Sequence, residues 1–261
     1  SNATQNSPKR MKGDFKEGFD CGLESSNENV NVECTKFFGK NMWPNEQVFT
    51  SIDGFREALM KYQTDLLGLS DKLLLALGQS LNENPNDGGG LAEDYFISHT
   101  RNPMCTLRLL HYPPIEDSFS TSQGCGAHTD YGLFTILQQD SIGGLQVRNR
   151  RNHWVDAKPL KGSFVINVGD MLSHWTNGEY ASTVHRVISP PMSESSTGIR
   201  GDRYSVPFFF NPDHNAVVKP LPGVGLDESD KSSECDVDKA CGKTALEILQ
   251  ARYDGTFQQS K

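Results

Sequence analysis

LFTILQQDSIGGLQVRNRRNHWVDAKPLKGSFVINVGD, residues 133–170, is the stretch that decides the fold. It holds four short apolar-rich runs, at 133–138, 144–147, 153–156 and 163–168, broken by Gly143-Gly144 and closed by Gly169-Asp170. Runs this short, punctuated by Gly, Pro, Asn and Asp, are what many-stranded antiparallel sandwiches and barrels require. The pattern continues outward, with further runs at 105–112, 183–188 and 204–210 and breakers at Pro113-Pro114, Asn177-Gly178 and Pro190-Pro191. The middle of the chain, about 100–212, is therefore expected to be all-β.

Helices flank this core. Ser51 or Asp53 can cap a helix whose apolar positions Phe55, Leu59, Tyr62, Leu66, Leu69, Leu73 and Leu77 recur at helical spacing, so one or two helices are expected over about 51–81. Pro85 and three consecutive glycines make 82–90 a loop. Residues up to about 45 read as a loop-rich leader with one short strand, and Ser1-Asn2-Ala3 as an expression remnant. The acidic, Ser-rich stretch 221–240 is expected to be a mobile surface segment, and 244–253, through Leu246, Leu249 and Tyr253, a last helix packed on the barrel. With no strong boundary, residues 1–261 read as a single domain.

Composition narrows the function. Hydrophobic residues at 36% and charged residues at 22% fit an ordinary globular chain, with a mean hydropathy of -0.53 pointing to polar loops. A net charge of -8 argues against phosphate-backbone binding, which needs clustered Lys and Arg, so nucleic acid is excluded as a partner. No apolar run approaches the roughly 20 residues of a membrane span, and a cytoplasmic location is expected. Cys21, Cys34, Cys105, Cys125, Cys235 and Cys241 form no C-x-x-C pair and read as reduced thiols.

Three side chains carry the chemistry. His128-Thr129-Asp130 alone proves nothing, since seven His and 33 acidic residues among 261 predict about one such tripeptide by chance. In extended backbone, however, positions i and i+2 share a side, so His128 and Asp130 can face one ion. His185, in the apolar run 183–188, can join them from a neighbouring antiparallel strand. Two His and one carboxylate leave one face of an octahedral ion open, as Fe(II) enzymes need; zinc accepts the same donors. Arg203 and Ser205 are likewise i, i+2, placing a guanidinium and a hydroxyl on one strand face. Guanidinium grips carboxylate through paired charge-assisted hydrogen bonds, each contributing roughly 1.5 to 3 kcal/mol when desolvated. A dicarboxylate chelating the ion at one end could anchor its other end there. Arg108 has two open readings, a contact with a substrate acid group or a structural ion pair. His174, near a turn, reads as a polar surface or packing residue, and His99, His111, His153 and His214 have no partner at ligand spacing.

In this order the motifs resemble the isopenicillin N synthase-like family of 2-oxoglutarate/Fe(II) oxygenases, which includes plant flavonoid and gibberellin oxidases. The likeness runs from about residue 106 to 212: Leu107-Arg108-Leu109-Leu110-His111-Tyr112-Pro113-Pro114, Gly126-Ala127-His128-Thr129-Asp130, Gly143-Gly144-Leu145-Gln146-Val147, Asn167-Val168-Gly169-Asp170-Met171, Trp175-Thr176-Asn177-Gly178, His185-Arg186-Val187 and the Arg203-x-Ser205 strand. It implies a mainly β fold, a double-stranded β-helix (jelly-roll) barrel with flanking α-helices. It implies His128, Asp130 and His185 as catalytic iron ligands, Arg203, Ser205 and Tyr112 as the holders of the distal 2-oxoglutarate carboxylate, and Phe209 against the organic substrate. The implied cofactors are Fe(II), 2-oxoglutarate as co-substrate and O2, with ascorbate as an auxiliary reductant. The implied reaction is oxidative decarboxylation of 2-oxoglutarate coupled to hydroxylation, desaturation or cyclisation of a small organic molecule. Two departures stand out: relatives carry an earlier strand and helix, and plant members often have Asn where Leu110 stands. Two alternatives remain, a 2-oxoglutarate-independent oxidase of the same family and a non-catalytic binding module on the same fold.

Overall fold

The computed structural model describes residues 14–24, 39–45, 53–82, 91–113, 123–188, 202–222, 224 and 242–258. Ser51, the expected loop beyond Asn82 and most of the expected mobile segment at 221–240 lie outside the described residues. In chain order the elements are β1 (Glu17–Gly22), α1 (Phe55–Asn82), α2 (Tyr95–Ser98), β2 (Pro103–Tyr112), β3 (Gln123–His128), β4 (Phe134–Gln139), β5 (Leu145–Arg148), β6 (Trp154–Asp156), β7 (Val165–Val168), α3 (Asp170–Trp175), β8 (His185–Ile188), β9 (Arg203–Asp213) and α4 (Ala245–Gln258).

Alternation along β9 sets the layers. Phe208 and Phe210 point to one side, while Arg203, Ser205 and Phe209 share the other, because successive strand side chains alternate. β9 pairs with β2 on one edge and β4 on the other, and β1 and β7 complete a five-stranded antiparallel sheet in the order β1-β2-β9-β4-β7. A second antiparallel sheet has the order β3-β8-β5-β6. This is the jelly-roll architecture that the ordered motifs imply.

The Phe208/Phe210 face meets α1: Leu66, Leu74 and Leu81 join Leu107, Phe134, Ile136, Phe208 and Phe210 in one core. The expected apolar positions Leu59, Tyr62, Leu69, Leu73 and Leu77 pack on the same cluster. Gln63, also on that helix, donates through Nε2 to the carbonyls of Cys21 and Gly22, each at 3.2 Å, and so ties α1 to the edge strand β1. The opposite face is lined by Tyr112, Leu145 and Val187, with Leu110, Cys125, Leu137 and Val165 beside them, from both sheets. No described helix is long and apolar enough to cross a membrane.

Some boundaries differ from expectation for identifiable reasons. One helix covers 55–82, and α4 runs past residue 253 to Gln258. α3 follows directly on the Gly169 that reads as a turn; all six of its residues are buried, so it offers no polar face to reveal a helical period. β3, Gln-Gly-Cys-Gly-Ala-His, lacks the β-branched residues that betray a strand. His174 is a packing residue rather than a surface one: it is 3% exposed, neither ring nitrogen has a hydrogen-bond partner among the described residues, and burial pushes its pKa down.

Two glycines let the loops behind the sheet touch. A Cβ on Gly169 would collide with the backbone of Gly132, reaching its carbonyl carbon at 2.8 Å and its nitrogen at 3.1 Å. That approach carries hydrogen bonds from Gly169 N to the Leu133 carbonyl (2.9 Å) and from Asp170 N to the Asp130 carbonyl (2.8 Å). Gly169→Ala is expected to destabilise the protein by about 1–3 kcal/mol through overpacking, read as a lower midpoint in urea with the slope unchanged; a wild-type midpoint would show that the loops can separate at no cost.

On β2, between its two neighbouring strands, His111 bridges Glu17 of β1 (2.9 Å) and Asp202 (2.7 Å), which together raise its pKa above the ordinary 6.5. A raised folded pKa means stability that is fully present below about 6.5 and lost as pH rises through the folded value. His111→Gln should therefore lower Tm most at pH 5–6 and progressively less at higher pH, whereas a pH-independent difference would assign the effect to packing on Tyr204.

Candidate metal centre

Antiparallel pairing of β3 and β8 sets His128 directly opposite His185, with ring centroids 4.3 Å apart. Each histidine turns Nδ1 to a backbone carbonyl, His128 to Gly126 at 2.7 Å and His185 to Thr183 at 3.0 Å. A carbonyl only accepts, so Nδ1 is the donor in each ring and Nε2 is the atom left to face a metal. Both Nε2 atoms face Asp130 Oδ1, at 3.9 Å from His128 and 3.7 Å from His185. One ligand atom from each of the three lies within 4.8 Å of the others, and this is the one such group among the described residues. Burial is the main influence on His185 and pushes its pKa down, which favours the neutral ring a metal needs.

β3 ends at His128, so Asp130 sits in the following loop rather than two positions along the same strand. Its orientation comes from neighbours instead. Oδ2 accepts from Thr135 Oγ1 (2.6 Å) and Asn167 Nδ2 (2.8 Å), interior residues of β4 and β7. Those bonds occupy one carboxylate oxygen and aim the other at the histidines. Asp170 braces the same loop: it accepts from Thr129 Oγ1 at 3.0 Å and from Arg252 of α4 at 2.8 Å, while Tyr253 packs edge-on against Tyr131. Sequence reasoning gave Thr135, Asn167, Asp170 and Arg252 no role of their own. Asn167 and Thr135 had a signal, a polar side chain on the inward parity of an apolar strand.

Arg203 is 1% exposed, and its guanidinium lies 4.8 Å above the Tyr112 ring. Nε donates to the Gly143 carbonyl (2.6 Å), Nη1 to Ser205 Oγ (3.1 Å) and Nη2 to Gln139 Oε1 (3.5 Å). These are neutral partners. Among the described residues no carboxylate comes within ion-pair distance, and burial pushes the Arg203 pKa down. A buried, uncompensated guanidinium is costly unless an anion joins it. Tyr112 links it to the histidines, since its ring packs with Val187, two residues from His185 on the same strand face.

Phe209 shares the inward face with Arg203 and Ser205 and carries the Arg108 guanidinium 5.5 Å from its ring centre. Arg108 makes an ion pair, two hydrogen bonds of 2.7 Å to Asp20 across the β1–β2 pairing. The structure thus brings His128, Asp130 and His185 together, gathers Arg203, Ser205 and Tyr112 as a second group, and sets Phe209 further along the β9 face.

Comparison with known proteins identifies the family. The family model for the 2OG-Fe(II) oxygenase superfamily matches residues 103–212. A Dictyostelium discoideum protein named "Probable iron/ascorbate oxidoreductase" is 35% identical over 243 residues, covering 85% of this chain and 62% of its own. A 2-oxoglutarate-dependent dioxygenase of Didymella fabae is 37% identical over 217 residues, covering 81% of this chain and 61% of its own. The chain thus spans about three fifths of the length of these curated relatives. Among solved structures, a full-length Neurospora crassa protein in complex with alpha-KG and 5-formyluracil is 31% identical, with a TM-score of 0.74, covering 92% of this chain and 68% of that one.

If Thr135 and Asn167 orient Asp130, removing either donor should weaken metal binding without removing a ligand. Asn167→Ala and Thr135→Val are expected to lower Fe(II) affinity about 10–100-fold in anaerobic titration. Wild-type affinity in both would leave the loop alone responsible for the carboxylate's aim.

Proposed function

Because the chain belongs to the 2OG-Fe(II) oxygenase superfamily, we propose that it is a non-haem Fe(II) dioxygenase that couples oxidative decarboxylation of 2-oxoglutarate to hydroxylation, desaturation or cyclisation of a small organic molecule. The observation that carries this reading is the pairing of two features from the two facing sheets: a two-His, one-carboxylate cluster beside β3 and β8, and on β9 a buried guanidinium that no described carboxylate approaches to ion-pair distance. A dicarboxylate answers both needs, chelating an ion with one end and neutralising Arg203 with the other.

In this reading His128 and His185, through Nε2, and Asp130, through Oδ1, hold Fe(II). The donor set fits that ion: both imidazoles have their other nitrogen committed to a carbonyl, and three donors leave positions for co-substrate and O2. Bound Fe(II) with 2-oxoglutarate supplies the oxidant for an unactivated C–H bond, releasing succinate and CO2. The chain's own residues do the positioning. Arg203, Ser205 and Tyr112 fix the distal carboxylate; the Gly143 carbonyl and Gln139 keep the guanidinium from turning. Leu110, Leu145 and Val187 keep water from the space between. Phe209, at the Arg108 end of the same face, meets the organic substrate.

Succinate formation matched to O2 uptake, in a turnover screen against small organic molecules, tests the proposal. His185→Ala should abolish both, and Arg203→Gln should raise the KM for 2-oxoglutarate at least 10-fold, the size expected for losing one charge-assisted pair of about 1.5–3 kcal/mol. Oxygen consumed with 2-oxoglutarate untouched would favour an oxidase that draws electrons from its substrate or ascorbate, and no visible charge-transfer band on adding Fe(II) and 2-oxoglutarate would favour a binding module.

A further inference from the structure

Lys16 Nζ lies 3.1 Å from Cys125 Sγ, across 109 positions of sequence. Both are held in place. Asp14 accepts from Lys16 Nζ at 2.9 Å and, through its other oxygen, from the Gly126 backbone N–H at 2.9 Å, so the residues before β1 are pinned across β3. Cys125 is half-buried on the interior face, packed on the Tyr112, Leu145 and Val187 cluster, with its sulfur 3.8 Å from His128 Nδ1. Lys16 is 23% exposed, so small oxidants reach the pair from solvent. The other two described cysteines lack this setting: Cys21 and Cys105 are fully buried, and the sulfur of Cys21 meets the Gln63 amide rather than an amine.

We propose that Lys16 and Cys125 form an oxidative modification site, in which dioxygen joins them through an Nζ–O–Sγ bridge. Once the Lys16 ammonium has passed one proton to solvent, the thiol S–H bond and one N–H bond of the amine break, and N–O and O–S bonds form. Sulfur and nitrogen each give up two electrons, O2 takes four, and the second oxygen atom leaves as water with the two hydrogens. Two equivalents of a dithiol return the four electrons, restoring amine and thiol and releasing the bridging oxygen as water. A sulfur and an amine already 3.1 Å apart need only a small approach to accept one bridging atom. The bridge would fix the Asp14–Lys16 segment to β3 three residues before His128. This goes beyond the oxygenase reading, and its readout is a peptide mass rather than turnover, so either can fail alone.

Protein prepared anaerobically with dithiothreitol, freed of reductant and then held in air-saturated buffer, is digested without reductant and mapped by mass spectrometry. The expected product is one peptide pair joining Lys16 to Cys125, heavier than the two separate peptides by one oxygen less two hydrogens. It should be absent from the anaerobic sample, vanish on adding dithiothreitol, and be lost in Lys16→Arg, which keeps the charge beside Asp14, and in Cys125→Ser. Recovery of Cys125 in air only as free thiol, or oxidised to the same extent and unlinked in wild type and Lys16→Arg, would overturn the proposal.

Discussion

The register of β3 against β8 is the constraint on which the rest depends. Strand side chains alternate with a period of two, so a slip of one residue would turn His185 out of the cavity and bring Arg186 in. The register is locked from both sides. β8 also pairs with β5, Val147 opposite His185 and Leu145 opposite Val187, and Val187 and Leu145 are buried in the interior cluster with Tyr112. Arg186 has a place on the outer side, over the Trp154 ring at 4.1 Å and donating to Gln146. Burial of one face and cation–π packing on the other agree on a single alignment.

The third member of the cluster is held by a different kind of structure. Asp130 lies in a loop, and a loop carboxylate beside two imidazoles has no reason to point at them unless its other oxygen is engaged. Thr135 and Asn167 engage it, and they sit on two strands of the larger sheet. The contact of Gly132 with Gly169 brings the backbone of the next turn close enough for Asp170 to brace both Thr129 and the Asp130 carbonyl. Through Arg252 and Tyr253 the last helix leans on the same loop. The cluster is therefore a junction of both sheets and α4 rather than a property of one hairpin.

Charge completes the picture. A carboxylate between two imidazoles and a guanidinium among neutral acceptors are separate buried charges on the two sheets, and neither is within ion-pair distance of a Lys, Arg, Asp or Glu side chain of opposite sign among the described residues. Folding bears the desolvation of both, and a metal with a dicarboxylate co-substrate would neutralise them together. Arg108 shows the contrast: it shares the parity of Tyr112 and Leu110, yet β1 supplies Asp20 directly across the ladder, and that charge is settled inside the fold.

The sequence by itself determined the mainly β centre, the long helix over its outer face, the terminal helix, and the shared strand face of Arg203 and Ser205. These rest on local periodicity, two for strands and near four for helices, which survives in any fold that buries one face. α3 and β3 were illegible because one is buried all round and the other is built from Gly, Cys and Ala, so neither shows a polar–apolar period. What only the tertiary structure decided is which groups meet across long separations. Asn167 on Asp130, Asp170 on Thr129, Asp20 on Arg108 and Lys16 on Cys125 are contacts between residues 37 to 109 positions apart, three of the four exceeding 40. No spacing rule encodes them, because they follow from strand order and loop closure, and those are settled only when the two sheets pack.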